Sequence, residues 1–309
     1  MMNENTFKIL VLDGGGSKGL YTLGVLHELE RYLNTNLSNY FDLIYGTSTG
    51  SIISSLIATG KPIEEIKDLY IKLIPEIMGK MTPSGKSNLL KKKGEIIFSN
   101  YDFTNLKTDI GIVALNNKTK EPFIFKSNNK QAHGMHQSFV PGFGCSLTDA
   151  VLSSSAAYPI FNKVNLTTSN GDNVELVDGG FVANNASLYA LVDAIQAYKI
   201  PKKDIKLFSV GTGHFVDKST GTVHKIINWI PATKFFTQIF TASTNTNAKL
   251  RELLFPDIDT VRINDSFTEL KTNMVEKDIG RLNEMYQLGR KSFGEHEKEI
   301  HEKFIQASR

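Results

Sequence analysis

Three glycine-rich strings follow one another along the chain: Asp13-Gly14-Gly15-Gly16-Ser17-Lys18-Gly19, Gly46-Thr47-Ser48-Thr49-Gly50 and Asp178-Gly179-Gly180. The second is G-x-S-x-G, the tight turn that exposes a nucleophilic serine between a strand and a helix. A serine hydroxyl is a weak nucleophile and must lose its proton as it attacks, so it needs a base and donors for the oxyanion that forms. Gly46 and Gly50 flank Ser48, where side chains would crowd the turn, and the Thr49 N–H points to the space beside the hydroxyl. Gly14, Gly15 and Gly16 let backbone N–H groups converge without Cβ obstruction, an arrangement worth about 3–4 kcal/mol of barrier. Lys18 adds positive charge beside that loop. Asp178, at the end of an apolar run, becomes more basic if it is desolvated there.

The first string has a rival reading. Gly14-x-Gly16-x-x-Gly19 fits the dinucleotide fingerprint, which also wants an acidic residue at the end of the second strand. That position carries Tyr45-Gly46-Thr47-Ser48 instead. Gly85-Lys86-Ser87 does not make a phosphate loop, because Lys80 stands where the required glycine should be and no strand precedes it. A histidine base is hard to find among His27, His133, His136, His214, His224, His296 and His301. His214, just past Gly211-Thr212-Gly213, is the best placed.

Strands and helices must hold these strings. Phe7 to Leu12 and Phe41 to Tyr45 are short apolar runs that predict buried strands, each followed by one of the glycine turns. Leu20 to about Tyr32 keeps helical spacing, and Ile52, Ile53, Leu56 and Ile57 place a helix directly after Ser48. Gly60 ends that helix and Pro62 opens the next. Gly111–Leu115 and Pro122–Phe125 predict a hairpin, Leu147–Ala157 and Leu188–Tyr198 helices, and Val174–Val177 and Ile205–Val210 strands. Residues 79–94 predict a lysine-rich loop, and residues 127–146 a polar one. Beyond about residue 220 the chain is expected to be mostly helical. Strand-helix alternation gives an α/β class, as a single domain over 1–309 with a core over 7–213 and a helical C-terminal section, an extension or lid, over 220–309.

At 309 residues the chain is long enough for one large domain. Apolar residues at 40% and charged ones at 22% are ordinary for a water-soluble globule, and a net charge of +3 is too small to indicate a nucleic-acid polymer as partner. Cys145 is the single cysteine, which excludes an intrachain disulfide. The start Met1-Met2-Asn3-Glu4-Asn5-Thr6 does not have the form of a signal peptide, and no apolar stretch reaches 18 residues, so a cytosolic protein is expected.

The ordered set of strings resembles the patatin-like phospholipases, which share a core with cytosolic phospholipase A2. The resemblance covers about residues 7–213 and includes Ser153-Ser154-Ser155-Ala156-Ala157-Tyr158-Pro159 and Ala183-Asn184-Asn185. It implies a three-layer fold around a central, mostly parallel sheet. It also implies a Ser–Asp dyad with no histidine, Ser48 as nucleophile and Asp178 as base. Gly14, Gly15 and Gly16 then form the oxyanion loop, with Thr49 beside them, and Lys18 is the family's basic position at the substrate. No cofactor and no metal are needed. Ala186 stands where the family often has proline.

The implied activity is lipid acyl hydrolysis through an acyl-serine, with membrane phospholipid as substrate and transient contact with a membrane surface. Small bacterial proteins of this kind include membrane-degrading antiphage effectors, and a cyclic oligonucleotide activator is the alternative form of the same reading. A nucleotide-binding oxidoreductase and a non-catalytic lipid-binding protein are the alternatives from other classes. The aromatic stretch Ile226–Phe240 fits either a lid with Trp229 at headgroup level or a helix packed on the core. Lys86 and Lys91–Lys93 fit either anionic headgroups or solvent. The sequence does not fix the oligomeric state.

Overall fold

The computed structural model describes residues 6–134, 138–215 and 231–305. Trp229, His136 and His224, and with Trp229 the first five residues of the aromatic stretch, lie outside the described residues. The chain opens with strand β1 (Phe7–Leu12), helix α1 (Gly19–Leu33), a single turn α2 (Leu37–Tyr40), β2 (Leu43–Thr47) and α3 (Thr49–Ala58). Helices α4 (Ile63–Met78) and α5 (Pro83–Ile97) precede the hairpin of β3 (Asp109–Asn116) and β4 (Pro122–Lys126). Then come α6 (Leu147–Ser154), β5 (Val164–Thr167), β6 (Asn173–Asp178), α7 (Gly180–Ala183), α8 (Ser187–Val192), β7 (Ile205–Val210) and β8 (His214–Phe215). The described C-terminal part holds α9 (Pro231–Leu254), β9 (Asp259–Ile263), β10 (Ser266–Phe267) and α10 (Ile279–Glu299).

The main sheet runs β5-β6-β3-β2-β1-β7-β9, with β4 also paired to β3. Strands β3, β2, β1, β7 and β9 are mutually parallel, and β4, β5 and β6 join antiparallel. Buried on both faces, the central strands β1, β2 and β3 read largely as continuous apolar runs, whereas the edge strand β9 alternates. Leu10 and Leu12 of β1 point into the core shared with α1, α3, α4 and α10. Ile9 and Val11 point to the other face, against Ala183, Ala190 and Leu191. Helices therefore cover both faces, giving the expected three layers.

Strand register delivers the three strings to one place. Leu12 pairs with Gly46 and Thr47 with Val113, so the residues after β1 and β2 leave the sheet side by side. Ala114 pairs with Asp178 across β3 and β6. One step past Thr47, Ser48 is therefore level with Asp178.

Two regions differ from the sequence expectation. Residues 83–97 form α5 rather than a loop: the Thr82 hydroxyl accepts the Gly85 N–H at 3.0 Å, and Pro83 sits in the first turn. Leu89 and Leu90 hold this helix by packing with Ile77 and Phe161, a tertiary contact that overrides its glycines and lysines. Lys91 and Lys93 on this helix pair with Glu95 and Glu76. Within residues 220–309, β9 is an edge strand of the main sheet, and α10 packs along α1, where Gly24 and Gly289 permit close approach. Smaller shifts accompany these. Residues 127–146 contain two short 3₁₀ turns, α6 stops at Ser154, and Pro62 caps α4 instead of opening it. Among the described residues no helix is long and apolar enough to cross a membrane.

Candidate active site

Ser48 occupies the corner between β2 and α3 with φ 53° and ψ −123°, a backbone that L-residues rarely adopt. Such strain persists only where surrounding structure enforces it, and it is common at functional sites. Two features enforce it here. A Cβ on Gly46 would lie 2.4 Å from the Gly50 carbonyl oxygen, and one on Gly50 would lie 2.2 Å from that of Leu12, so only glycines permit the turn. The Ser48 N–H donates to the Ser154 hydroxyl at 2.8 Å, and that hydroxyl donates to the Val113 carbonyl at 2.6 Å. Ser154 is a site residue that sequence reasoning missed, since nothing in the run Ser153-Ser154-Ser155 distinguishes it from its neighbours.

The Ser48 hydroxyl donates to Asp178 Oδ2 at 2.7 Å. The other carboxylate oxygen, Oδ1, accepts the Gly180 N–H at 2.8 Å, which fixes the plane of the carboxylate. Asp178 is fully buried. Burial pushes its carboxyl up to about 7, against the opposing pull of the Gly180 N–H and the Ser48 hydroxyl. The end of α6 and the residues after it tie the pair together: Ser154 holds Ser48, and the Ala156 carbonyl accepts the Asp178 N–H at 3.0 Å.

The glycine string passes directly over this pair. Gly16 has φ +60°, and a Cβ there would lie 2.1 Å from the Met274 carbonyl oxygen. Gly14 was expected as an oxyanion donor, but its N–H donates to the Asn184 carbonyl at 3.3 Å. Its contribution is clearance, because a Cβ would reach to 3.0 Å from the Ser48 Cβ. Among the described residues no hydrogen bond engages the N–H groups of Gly15, Gly16 or Thr49. Those three remain as donors for an incoming oxygen.

The string is braced from behind. Asn184 Nδ2 donates to the Gly14 carbonyl at 3.1 Å, and Asn185 Nδ2 to Asp13 Oδ1 at 2.8 Å. Arg262 of β9 forks onto both Asp13 carboxylate oxygens, Nη1 reaching Oδ1 at 3.0 Å, and also bonds the Ser209 hydroxyl. Residues of the C-terminal section thus hold the loop that follows β1.

Ser48 and Asp178 open into a concave cleft. Its walls are mainly apolar, among them Ile52, Ile74, Ile77, Leu90, Phe161 and Phe240. Ser155 also lines it, with a buried hydroxyl that has no hydrogen-bond partner among the described residues. Among the described residues no histidine lines this cleft. His214 is bonded through Nε2 to Asn264, His133 to Asp193, His296 to Asp265 and Glu299, and His301 to Tyr32, while His27 packs on Tyr286.

Lys18 does not line the cleft. It faces a second, polar cavity of about 360 Å³ with Asn184, Thr212, His214 and Asn264, which shares the Phe240 and Met274 walls with the first. Burial lowers the Lys18 ammonium to about 8, and nearby Asp13 partly restores it. The His214 imidazole is lowered by burial and then by the charges of Lys18 and Arg262.

The family model described as patatin-like phospholipase matches residues 10–191. A cUMP-AMP-activated phospholipase of Escherichia coli is 41% identical over 305 residues, which cover 98% of this chain and 95% of that protein. A cGAMP-activated phospholipase, also from Escherichia coli, is 28% identical over 228 residues, covering 66% of this chain and 62% of its own length. Patatin-like protein 2 of Arabidopsis thaliana is 27% identical over 268 residues, covering 73% of this chain and 64% of its own.

Proposed function

Since the chain belongs to the patatin-like phospholipase family, we propose that it cleaves carboxylic esters of membrane phospholipids through a Ser48–Asp178 dyad. The observation that carries this is the 2.7 Å hydrogen bond from the Ser48 hydroxyl to a fully buried carboxylate, on a strained strand-to-helix turn. Asp178 takes the proton as the Ser48 oxygen attacks the ester carbonyl carbon. The oxyanion is received by the N–H groups of Gly16 and Thr49, which line the cleft, with Gly15 adjoining. The C–O bond to the glycerol oxygen breaks, the alcohol leaves with the proton from Asp178, and the acyl group stays on Ser48. Water then attacks the acyl-serine while Asp178 takes its proton; the acyl–Oγ bond breaks, Asp178 returns the proton to the Ser48 oxygen, and the fatty acid departs.

The apolar cleft suits an acyl chain, and the polar cavity beside it offers the Lys18 ammonium and the hydrogen-bonding groups of Thr212, His214 and Asn264 to a headgroup phosphate, with Asp13 also in its wall. The substrate is held in a bilayer, so the working enzyme must touch a membrane surface. Exposed Phe235 at the start of α9 and Tyr158 beside the cleft-lining Ala157 are the apolar groups placed for that contact. The family assignment and the occupied positions of Ser48 and Asp178 weigh against the oxidoreductase and the non-catalytic binding readings.

A test follows from Asp178. Only its ionised form accepts the serine proton, and its carboxyl is raised to about 7. In assays on phospholipid vesicles, kcat/KM is therefore expected to rise about tenfold per pH step below neutrality and to level off above it. A rate that is flat from mildly acidic to mildly basic pH would contradict the assignment of the base.

A second reading concerns control, and the similarity over 98% of the chain to a cUMP-AMP-activated phospholipase favours it. We propose that a cyclic dinucleotide raises the phospholipase rate of this chain, as an antiphage effector would require. Adding cUMP-AMP to the vesicle assay is expected to increase the rate at least tenfold. An unchanged rate with cUMP-AMP and cGAMP would remove this form of the proposal while leaving the esterase intact.

A further inference from the structure

Beyond the cleft at Ser48 lies a second, smaller apolar cavity, lined by residues of α3, α4, α5 and α6. Ile52 and Leu90 line both spaces, so the two adjoin at these side chains. The sequence lays out the route. Ser48, Ile52 and Leu56 recur every fourth residue from the head of α3, which puts them on one side of the helix. At 1.5 Å per residue, this stripe runs about 12 Å from the nucleophile into the second cavity.

The lining is suited to hydrocarbon. Leu69 and Leu73 come from α4, Ile97 from α5, and Val151 and Leu152 from α6. The polar end of Tyr70 is occupied elsewhere, its hydroxyl donating to the Thr49 carbonyl at 3.0 Å, so the ring is what remains for the wall. Lys93 also lines the cavity, with its ammonium paired to Glu76 at 2.8 Å. A space lined almost entirely by apolar side chains favours apolar ligands over water.

We propose that the second cavity receives the distal part of a long fatty acyl chain whose carbonyl is at Ser48, so that the enzyme selects long-chain acyl esters over short ones. The inference rests on the esterase reading above. Each methylene taken from water into such a cavity is worth about 0.8 kcal/mol, close to a fourfold gain per carbon. A chain that ends in the first cleft gains none of this.

The test is the ratio of kcat/KM for palmitoyl over octanoyl p-nitrophenyl esters. Ile97→Trp fills the cavity from a half-buried position and should fold readily; Val151→Phe fills it from α6. Both variants are expected to lower the palmitoyl-to-octanoyl ratio at least tenfold relative to wild type. If wild type cleaves both esters and the folded Ile97→Trp variant keeps the wild-type ratio, the cavity is a packing defect and the inference is overturned. If wild type cleaves neither ester, with or without activator, the esterase reading itself has failed.

Discussion

Ser48→Ala is expected to lower phospholipid hydrolysis on the order of 10⁴-fold or more while leaving the fold intact. The side chain makes one hydrogen bond, to Asp178 Oδ2. Everything else that holds the turn is backbone or belongs to neighbours: the Ser48 N–H to Ser154, and the Ser48 carbonyl to the N–H groups of Ser51 and Ile52. Alanine keeps those bonds and takes the same strained φ of 53° with no added bulk. The donor lost by Asp178 leaves its bond from Gly180 in place. Thermal unfolding should therefore shift by little, on the scale of a single hydrogen bond of about 1 kcal/mol. Purified variant with more than a hundredth of wild-type activity would show that another group attacks the ester.

Asp178→Asn should remove activity on the order of 10³–10⁴-fold and, unusually for a substitution in the interior, raise stability above neutral pH. Asparagine is isosteric here. Its oxygen can accept the Gly180 N–H and its amide nitrogen can donate to the Ser48 hydroxyl, so geometry survives while the proton acceptor disappears. The stability effect follows from linkage. The folded-state carboxyl is raised to about 7 from an ordinary value of 3.8, so the folded protein binds its proton more tightly than the unfolded chain does. That contribution, about 4 kcal/mol, is complete below the unfolded value and is lost as pH climbs through about 7. An asparagine does not titrate and escapes the loss. Thermal unfolding of both proteins in acid and in mild base should show the variant gaining on wild type as pH rises. A gap that stays constant with pH would mean that the Asp178 carboxyl is not raised.

Much of the site could be read in the sequence because its chemistry rests on backbone geometry. A serine between two glycines after an apolar strand admits few conformations, and the run Asp178-Gly179-Gly180 ends a strand for the same reason. The register of β1, β2, β3 and β6 then brings these local signals together. What was not legible depends on long-range contacts. Helix α5 has the composition of a loop, with Gly85, Gly94 and several lysines, and forms because Leu89 and Leu90 find Ile77 and Phe161. Strand β9 is five residues with Arg262 near its end, and only pairing with β7 makes it a strand. Arg262 itself gave no signal until it was seen gripping Asp13. The Gly14 N–H, expected at the oxyanion, is claimed by the Asn184 carbonyl, a partner 170 residues away along the chain. Lys18 belongs to the adjoining polar cavity because the turn after Gly16 directs it away from the cleft.

The most direct test of the central claim is reaction with a fluorophosphonate probe, followed by intact-mass measurement and peptide mapping, with wild type beside Ser48→Ala and with cUMP-AMP and phospholipid vesicles present. The dyad predicts one adduct, on Ser48, absent from the variant and suppressed in Asp178→Asn. An adduct mapped to a different residue, or equal labelling of wild type and Ser48→Ala, would contradict it.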